Sequence, residues 1–351
     1  ALRLMQFAFL GIDETALAIA RAVAADPRHG ILSFTEPARP VADDDWAEFT
    51  QLAPQATRLT GWEVLLQQGA ADVVVVARGH TDDDRLEPLR RLVQLAIPTI
   101  VAHPVAISML LYYEIDMIHR EIGGPLLAYA PSRWHPATAR LVDFVTGDGP
   151  LAGANQLVVE RSLGDPAPAA ALTAFVADVA LARSVCPDLN QIVAMGPAAD
   201  DFRNLGVQLV GTGGSMVQWS AVASTDAAGA TFTLRGPTGT ARLATNPDAP
   251  WSLELRAAGD ERTETFTDFD AGAEAVRRIE AIIGGDAAGA SWLTAAQDVE
   301  IAASISRSLA KGRKVELFAE DYSEAGTFKG TMAWVGCAIL MLVAFLVLVA
   351  G

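Results

Sequence analysis

Short apolar runs alternate with stretches of helix-forming residues through the first 130 residues of the chain. The run from Asp72 to Ala77 (DVVVVA) is continuous and β-branched, which is typical of a strand buried on both faces of a parallel sheet. Strands that alternate with helices predict a doubly wound, Rossmann-like parallel sheet over residues 1–130. The predicted strands lie at 4–10, 31–35, 72–77 and 99–102, and the predicted helices lie at 15–25 and 86–95.

Between residues 131 and 320 the pattern changes to alternating apolar and polar positions. Alternation of this kind is typical of antiparallel strands that pack on a core with one face. Turn sequences such as Gly211–Gly214 (GTGG) and Gly236–Gly239 (GPTG) separate the runs. We therefore expect a second α/β domain with a largely antiparallel open sheet and a helix on one face. Its predicted strands lie at 157–161, 207–210, 216–223, 231–235, 252–256 and 315–318, and its predicted helices lie at 169–183 and 296–310.

A long apolar run ends the sequence, from Thr331 to Ala350, and it contains no charged side chain over 20 positions. A helix of that length is about 30 Å long, which matches the hydrocarbon core of a bilayer. Trp334 lies near one end, where an indole ring prefers the membrane interface. We expect a polar tether at 321–330 and a transmembrane helix at 331–351; a buried core helix is the alternative reading.

The distribution of charge indicates a membrane topology and excludes one class of partner. The formal net charge is −16, which argues against nucleic acid because binding to phosphates needs clustered basic residues. Lys311, Arg313, Lys314 and Lys329 precede the apolar run. Because positive charge stays on the cytoplasmic side, we expect a single-pass, tail-anchored membrane protein whose soluble domains face the cytoplasm.

Several common chemistries have no motif in the sequence. The two cysteines, Cys186 and Cys337, do not suggest a disulfide, because Cys337 lies in the apolar run; the soluble part is typical of a reducing compartment. No Cys/His spacing for zinc, no GxxxxGK[ST] phosphate loop and no GxSxG nucleophile turn is present, so we predict no metal site.

The order of the remaining motifs resembles the Gfo/Idh/MocA family of sugar and polyol oxidoreductases. The resemblance extends to about Phe318. It implies a Rossmann domain that binds NAD or NADP, hydride transfer at a carbohydrate-like hydroxyl, and a second domain whose open sheet mediates oligomers. The motifs, in chain order, are the first strand and helix around Gly11, the strand at 72–77, Ala102–Pro104 (AHP), Arg133–Pro136 (RWHP), Gly147–Leu151 (GDGPL), and Ser304–Ser308 with Gly312–Val315.

The resemblance also implies positions for the cofactor-binding residues. The glycine fingerprint falls on Gly11, Asp13 and Ala16, so only its first glycine is present. A carboxylate at the second position either repels a pyrophosphate or caps the following helix, since Asp is a favoured N-cap. Glu36 stands where a ribose-binding acid is expected, or is a surface residue, and Arg78 follows the strand past which the ribose lies. We take Gly11, Asp13, Glu36 and Arg78 as the cofactor-binding candidates.

The catalytic residues that the resemblance implies are changed. The family's Glu-Lys-Pro motif falls on Ala102–Pro104, and the only lysines of the chain are Lys311, Lys314 and Lys329. His103 is therefore the catalytic candidate as an acid or base, with a structural histidine as the alternative.

The second catalytic pair of the family, an Asp and a His four positions later, falls on Thr173 and Ala177, and no histidine follows His135. We expect Asp178, nearby on the same helix, to be solvated. Arg133 and His135 either line the cleft between the domains or fix the crossover of the chain.

The sequence therefore supports three hypotheses of function. The leading one is a membrane-anchored pseudo-oxidoreductase that serves as a binding or structural subunit of a membrane assembly, with a homo-oligomer or a membrane protein as partner. The second is a divergent NAD(P)-dependent oxidoreductase of a sugar or polyol. The third is a non-redox protein that binds a sugar-like ligand. The resemblance implies NAD or NADP, whereas the changed residues lead us to expect that neither is bound.

Overall fold

The structure is a computed structural model, and the description below covers most of the chain up to residue 317. The described residues are 4–37, 41–67, 71–81, 83–196, 202, 204–223, 229–247, 249–257, 259–286 and 292–317. By its internal contacts the chain divides into one unit at residues 1–317 and another at residues 318–351. The predicted tether at 321–330 and the predicted transmembrane helix at 331–351 lie outside the described residues.

Six strands form a parallel sheet in the first part of the chain. They are β1 (Met5–Leu10), β2 (His29–Thr35), β3 (Thr57–Leu59), β4 (Val73–Val76), β5 (Thr99–Ala102) and β6 (Leu126–Tyr129). Their order is β3-β2-β1-β4-β5-β6, and every pair is parallel. The predicted Rossmann-like sheet is confirmed. Because the strand order reverses between β1 and β4, the carboxyl ends of these strands border a crevice.

Helices connect these strands and cover both faces of the sheet. The helices are α1 (Glu14–Ala25), α2 (Asp43–Leu52), α3 (Leu86–Gln94), α4 (Met109–Ile122), α5 (Pro131–Trp134) and α6 (Pro136–Val145), with a 3-10 helix at Trp62–Leu66. α1 is rich in alanine and is buried on more than one side, since its buried residues include Leu17 and Ile19, which are two positions apart. The predicted helices at 15–25 and 86–95 correspond to α1 and α3 within one residue.

Nine strands form the second sheet. They are β7 (Gln156–Leu163), β8 (Leu189–Met195), β9 (Gly206–Gly211), β10 (Met216–Ala223), β11 (Gly229–Gly236), β12 (Gly239–Asn246), β13 (Ala249–Ala257), β14 (Asp260–Phe266) and β15 (Val315–Glu316). Their order is β14-β13-β12-β11-β7-β10-β9-β8-β15. Among the described pairs, β7 and β10 are parallel and the others are antiparallel. The expectation of a largely antiparallel sheet is confirmed.

Three further helices complete the second part: α7 (Pro168–Val185), α8 (Ala271–Ile283) and α9 (Trp292–Lys311). α8 returns to the first part and packs on α1 so closely that a Cβ on Gly272 would lie 2.1 Å from the Ala18 carbonyl oxygen. α9 packs on α4, α7 and β8. The two sheets therefore share helices, and this arrangement fixes the cleft between them.

One described helix, α7, is long and apolar enough to cross a membrane by length and composition alone. Half of its apolar window is buried inside the protein, and core helices also meet the same criteria. Its buried residues include Phe175, Val179 and Leu181, which belong to the main hydrophobic core. We therefore interpret α7 as a core helix.

Candidate functional site

A cleft of about 650 Å³ lies at the carboxyl end of the parallel sheet. One wall comes from the segments that follow β4, β5 and β6 and from the start of α1, and it includes Arg78, His103 and Tyr129. The other wall comes from α7, from the second sheet and from the segment after β14. This is the place where open α/β sheets bind ligands, and the volume suits a small molecule.

Gly11, the first candidate position, ends β1 at the edge of the crevice. Its backbone has φ +80°, which favours glycine, and its N–H donates to Thr35 Oγ1 at 2.8 Å. A Cβ at this position would lie 2.5 Å from Nη2 of Arg85. Arg85 is buried and donates from Nε to the Ala77 carbonyl oxygen at 2.8 Å. A side chain at position 11 would therefore meet both a backbone conformation that favours glycine and the buried Arg85.

Asp13 caps α1. Its Oδ1 accepts from the Ala16 N–H at 2.9 Å, and its Oδ2 accepts from the Arg78 N–H at 3.0 Å. Both oxygens thus hold backbone donors at the N-terminus of α1 and at the end of β4. In a glycine-rich loop, the donors at the N-terminus of the helix face the pyrophosphate.

The residues of this loop do not fit the pyrophosphate of a dinucleotide. A phosphate at the N-terminus of α1 would face the carboxylate of Asp13, and two like charges about 4 Å apart repel by about 4 kcal/mol at an effective dielectric constant near 20. The carboxylate already supplies the negative charge that the N-terminus of a helix favours. We conclude that the protein places its own anion where the fold would hold a phosphate.

The other cofactor-binding candidates, Glu36 and Arg78, have different partners. Glu36 is exposed after β2 and forms an ion pair with Arg58 of β3. Arg78 lines the cleft, and its Nε donates to the Pro104 carbonyl oxygen at 2.9 Å. Its Nη1 lies 3.8 Å from the exposed carboxylate of Glu14. The structure thus places Arg78 in the cleft and Glu36 in a surface ion pair.

His103, the catalytic candidate, has a buried ring with a protein group near each nitrogen. Nδ1 lies 3.0 Å from the Tyr112 hydroxyl, which also accepts the Val105 N–H at 3.0 Å. A tyrosine hydroxyl both donates and accepts, so this contact fits either neutral tautomer of the His103 ring. Nε2 is 3.4 Å from Oδ2 of Asp298, too far for a good hydrogen bond. Burial lowers the pKa of His103, against the opposing effect of Asp298.

Asp298 is the centre of a buried polar network that the sequence pattern did not reveal. Arg133 donates to its Oδ2 at 2.8 Å, and Arg183 donates to its Oδ1 at 2.6 Å. Burial alone would raise the pKa of Asp298, but His103 and the two arginines hold it below its usual value. Nε of Arg133 also donates to the Ala180 carbonyl oxygen at 3.3 Å. Arg133 therefore joins α5 to α7 and α9 and fixes the crossover of the chain, which is one of the two alternatives for this residue.

His135, by contrast, lines the cleft. Its ring stacks on Trp251 with centroids 3.8 Å apart and lies 4.6 Å from the ring of Phe269. Nδ1 accepts from the Ala137 N–H at 3.1 Å, so the ring proton lies on Nε2. Burial lowers the pKa of His135 to about 4, and the ring is neutral at physiological pH.

Asp178 is buried, and the expectation that it is solvated was wrong. Arg161 donates to it from Nε at 2.9 Å and from Nη2 in a shorter contact, while Trp219 Nε1 donates at 2.8 Å. The signal for this burial is present in the sequence: Asp178 lies among apolar residues on all sides of α7 (AFVADVALA), so no face of the helix is polar. Arg161 and Asp178 both line the cleft.

The positions that correspond to the family's second catalytic pair carry no acid or base. Thr173 and Ala177 both lie on α7, and Ala177 lines the cleft. Its carbonyl oxygen accepts from the Ser132 hydroxyl at 2.9 Å. Among the described residues, no group of three or more His, Cys, Asp or Glu side chains is arranged to hold a metal ion.

Solved structures share this fold across nearly the whole chain. An aldose-aldose oxidoreductase from Caulobacter crescentus, complexed with glycerol, is 15% identical and has a TM-score of 0.73; the match covers 90% of this chain and 100% of that one. A 3-ketoreductase from Actinomadura kijaniata, in complex with NADP, is 15% identical with a TM-score of 0.71 and coverages of 87% and 97%. A myo-inositol dehydrogenase from Corynebacterium glutamicum is 17% identical with a TM-score of 0.69 and coverages of 91% and 100%.

Comparison by sequence adds no relative. No model of a protein family matches the chain, and no curated protein matches it. The structural neighbours are oxidoreductases of the Gfo/Idh/MocA type, and several were solved with NAD or NADP bound. The predicted resemblance is therefore confirmed at the level of the fold: the chain has the two-part architecture of the Gfo/Idh/MocA oxidoreductases.

Proposed function

We propose that this protein is a pseudo-oxidoreductase, which binds a small polar ligand in the cleft and transfers no hydride. Residues 331–350 anchor it in a membrane with its folded part in the cytoplasm, where it acts as a binding or structural subunit of a membrane assembly. The observation that carries the proposal is the position of Asp13, whose carboxylate holds the Ala16 and Arg78 N–H groups.

The surroundings of the candidate acid–base group support the same proposal. A general acid or base must reach the proton that it transfers. His103 belongs to the wall of the cleft but is only 6% exposed, with Nδ1 against the Tyr112 hydroxyl and Nε2 buried 3.4 Å from Asp298. The buried carboxylate of Asp178 is engaged by Arg161 and Trp219. We therefore assign His103 a structural role.

The second candidate is a divergent NAD(P)-dependent oxidoreductase of a sugar or polyol. The similarity to oxidoreductases over about nine tenths of the chain favours it, together with the cleft at the carboxyl end of the parallel sheet. This candidate requires the dinucleotide to bind beside Asp13, or the loop to rearrange.

Calorimetric titration of NADH and NADPH into the full chain, purified in a mild detergent, separates the two candidates. We expect no heat of binding at millimolar cofactor, because the loop holds its own carboxylate. Micromolar affinity for either cofactor would contradict the proposal and would justify a screen of sugars and polyols for hydride transfer.

The membrane anchor and the assembly need their own experiment. We expect the full chain to sediment with membranes through a carbonate wash and a variant ending at residue 330 to remain in the supernatant. Protease protection of the folded part in sealed inverted vesicles would contradict the cytoplasmic orientation.

Alternate positions along β9 and β11 are partly exposed, which supports association through this sheet. Mass photometry of the full chain tests for a homo-oligomer.

A further inference from the structure

Arg161 presents one open edge to the cleft. Its Nε and Nη2 donate to Asp178, and in the part of the chain that the structure describes its Nη1 has no hydrogen-bond partner. The side chain is 15% exposed and lines the cleft. Asp178 accepts from Arg161 on both oxygens and from Trp219 on one of them, so the guanidinium is held in a fixed orientation. A fixed guanidinium with an open edge is suited to bind a carboxylate or another anionic acceptor.

Two further donors reach the same cleft. Arg78 uses Nε for the Pro104 carbonyl oxygen, and its Nη1 lies 3.8 Å from the carboxylate of Glu14, which is 84% exposed. The ring of His135 carries its proton on Nε2, because Nδ1 accepts the Ala137 N–H. Both side chains line the cleft.

The carboxylates of the cleft, in contrast, are already engaged or lie at the rim. Asp178 holds Arg161 and Trp219, and Glu14 is exposed to solvent. The positively charged side chains of the lining, Arg78 and Arg161, therefore favour a ligand that carries negative charge.

The remaining wall is aromatic and apolar. Trp251 and Phe269 flank His135, and Phe266 lies 6.0 Å from it between ring centroids. Aromatic rings pack against flat apolar faces such as the C–H face of a pyranose. The volume of about 650 Å³ is ample for one monosaccharide.

We propose that the cleft binds a sugar acid of hexuronate size, with its carboxylate on the open edge of Arg161 and its ring against the aromatic wall. Arg78 provides additional positive charge on the opposite wall. This inference rests on the proposed function, because it assumes that the ligand, rather than a dinucleotide with its substrate, occupies the cleft.

The first experiment compares ligands of the same shape that differ in charge. D-Glucuronate and D-galacturonate are titrated into the full chain beside D-glucuronamide and D-galactose. We expect at least one uronate to bind about tenfold or more tightly than its neutral counterpart, since charge-assisted hydrogen bonds are the stronger ones. The preference should weaken as the salt concentration rises from 50 to 500 mM, because salt screens the attraction between partly exposed charges.

The second experiment uses a variant that removes the charge pair as a unit. Truncating Arg161 alone would leave Asp178 buried and unpaired, so the double variant Arg161→Gln/Asp178→Asn retains amide hydrogen bonding while removing both charges. We expect it to bind the uronate and the neutral sugar equally. Arg78→Met, on the opposite wall, gives an independent variant, and we expect it to reduce the uronate preference by about threefold or more. Thermal unfolding of each variant reports on the fold.

The outcomes separate the inference from the proposed function. Equal affinity of the wild type for uronates and neutral sugars, or no binding of any of the four, would overturn the inference and leave the pseudo-oxidoreductase proposal standing. Binding of NADH would overturn that proposal; the same four titrations, repeated at saturating NADH, would then still decide whether the cleft prefers a sugar acid.

Discussion

Two aspartates, Asp13 in the loop beside the cleft and Asp178 in the wall of the cleft, have opposite environments. In the loop after β1, Asp13 bonds to two backbone N–H groups and uses the donors that the fold offers to a phosphate. On α7, Asp178 bonds to Arg161 and Trp219 and leaves one edge of the guanidinium open. An aspartate side chain thus occupies backbone donors in the loop, whereas on α7 it orients an arginine.

Under the two proposals, this difference explains how a cofactor site is lost while a ligand site is kept. Negative charge at the N-terminus of a helix competes with a phosphate for the same donors. Negative charge behind an arginine, in contrast, orients that arginine for a ligand on its other side. The position of a carboxylate relative to its donors therefore decides whether it competes with an anionic ligand or orients a group that binds one.

The largest expected effect is on the ligand half. Asp178→Ala removes the partner of Arg161 and the acceptor of Trp219 Nε1 in a buried place. We expect it to reduce the free energy of unfolding by about 3–5 kcal/mol, because it leaves an uncompensated buried charge. Urea unfolding measures this effect. Adding Arg161→Met to Asp178→Ala should recover part of the loss; a loss below about 1 kcal/mol for Asp178→Ala would show that the pair is not buried as described.

The second effect tests the buried arginine beneath the loop. Gly11→Ala forces a Cβ into a position with φ +80° and 2.5 Å from Nη2 of Arg85. Gly123→Ala is a matched control, since Gly123 has φ +76° and nothing within 4 Å of its Cβ position. The control isolates the cost of the backbone conformation, about 1–2 kcal/mol. We expect Gly11→Ala to cost more than Gly123→Ala in urea unfolding; equal costs would show that Arg85 moves away freely.

The third effect is the loss of the cap on the loop half. Asp13→Ala should reduce the free energy of unfolding by about 1 kcal/mol, the usual cost of losing an N-cap, and slightly more because the Arg78 N–H loses its acceptor as well. Asp270→Ala is the matched control, because Asp270 caps α8 through a single bond to the Ala273 N–H at 2.9 Å. A smaller loss for Asp13→Ala than for Asp270→Ala would contradict the double role of Asp13.

The smallest effect is a dependence on pH. The pKa of His135 in the folded protein, about 4, lies below its ordinary value of 6.5. The neutral ring therefore contributes stability that is fully present above pH 6.5 and is lost as the pH falls towards 4. His135→Phe keeps an aromatic ring beside Trp251 and should flatten the decline of the thermal midpoint in this window. An unchanged decline would show that other groups, His103 included, account for it.

Regular patterns allowed much of the fold to be predicted. The Val-rich β4 and the strand β5 were placed from their unbroken apolar runs, and β5 has the predicted bounds. β12 (GTARLATN) was missed because alanine, a poor strand former, fills two of its apolar positions, and α8 was missed although its apolar positions recur at helical spacing.

The site was harder to predict because its contacts join residues far apart in the chain. The cap by Asp13 is local and was foreseen as an alternative. The network of His103, Arg133, Arg183 and Asp298 links four separate elements, and no spacing in the sequence brings them together. Asp178 was expected to be exposed to solvent because a single charged residue on a helix usually is. The expectation was wrong because the residues around Asp178 on α7 are apolar on every face.

The most direct measurement is the affinity for NADH of three forms of the full chain: wild type, Asp13→Asn and Asp13→Gly. We expect no binding to the wild type at millimolar NADH and a gain of about tenfold or more in Asp13→Gly, in which the Ala16 and Arg78 N–H groups are released. Asp13→Asn retains a capping oxygen without the charge and should lie between the two. Micromolar binding to the wild type, unchanged in Asp13→Gly, would contradict the claim that the protein fills its own phosphate site.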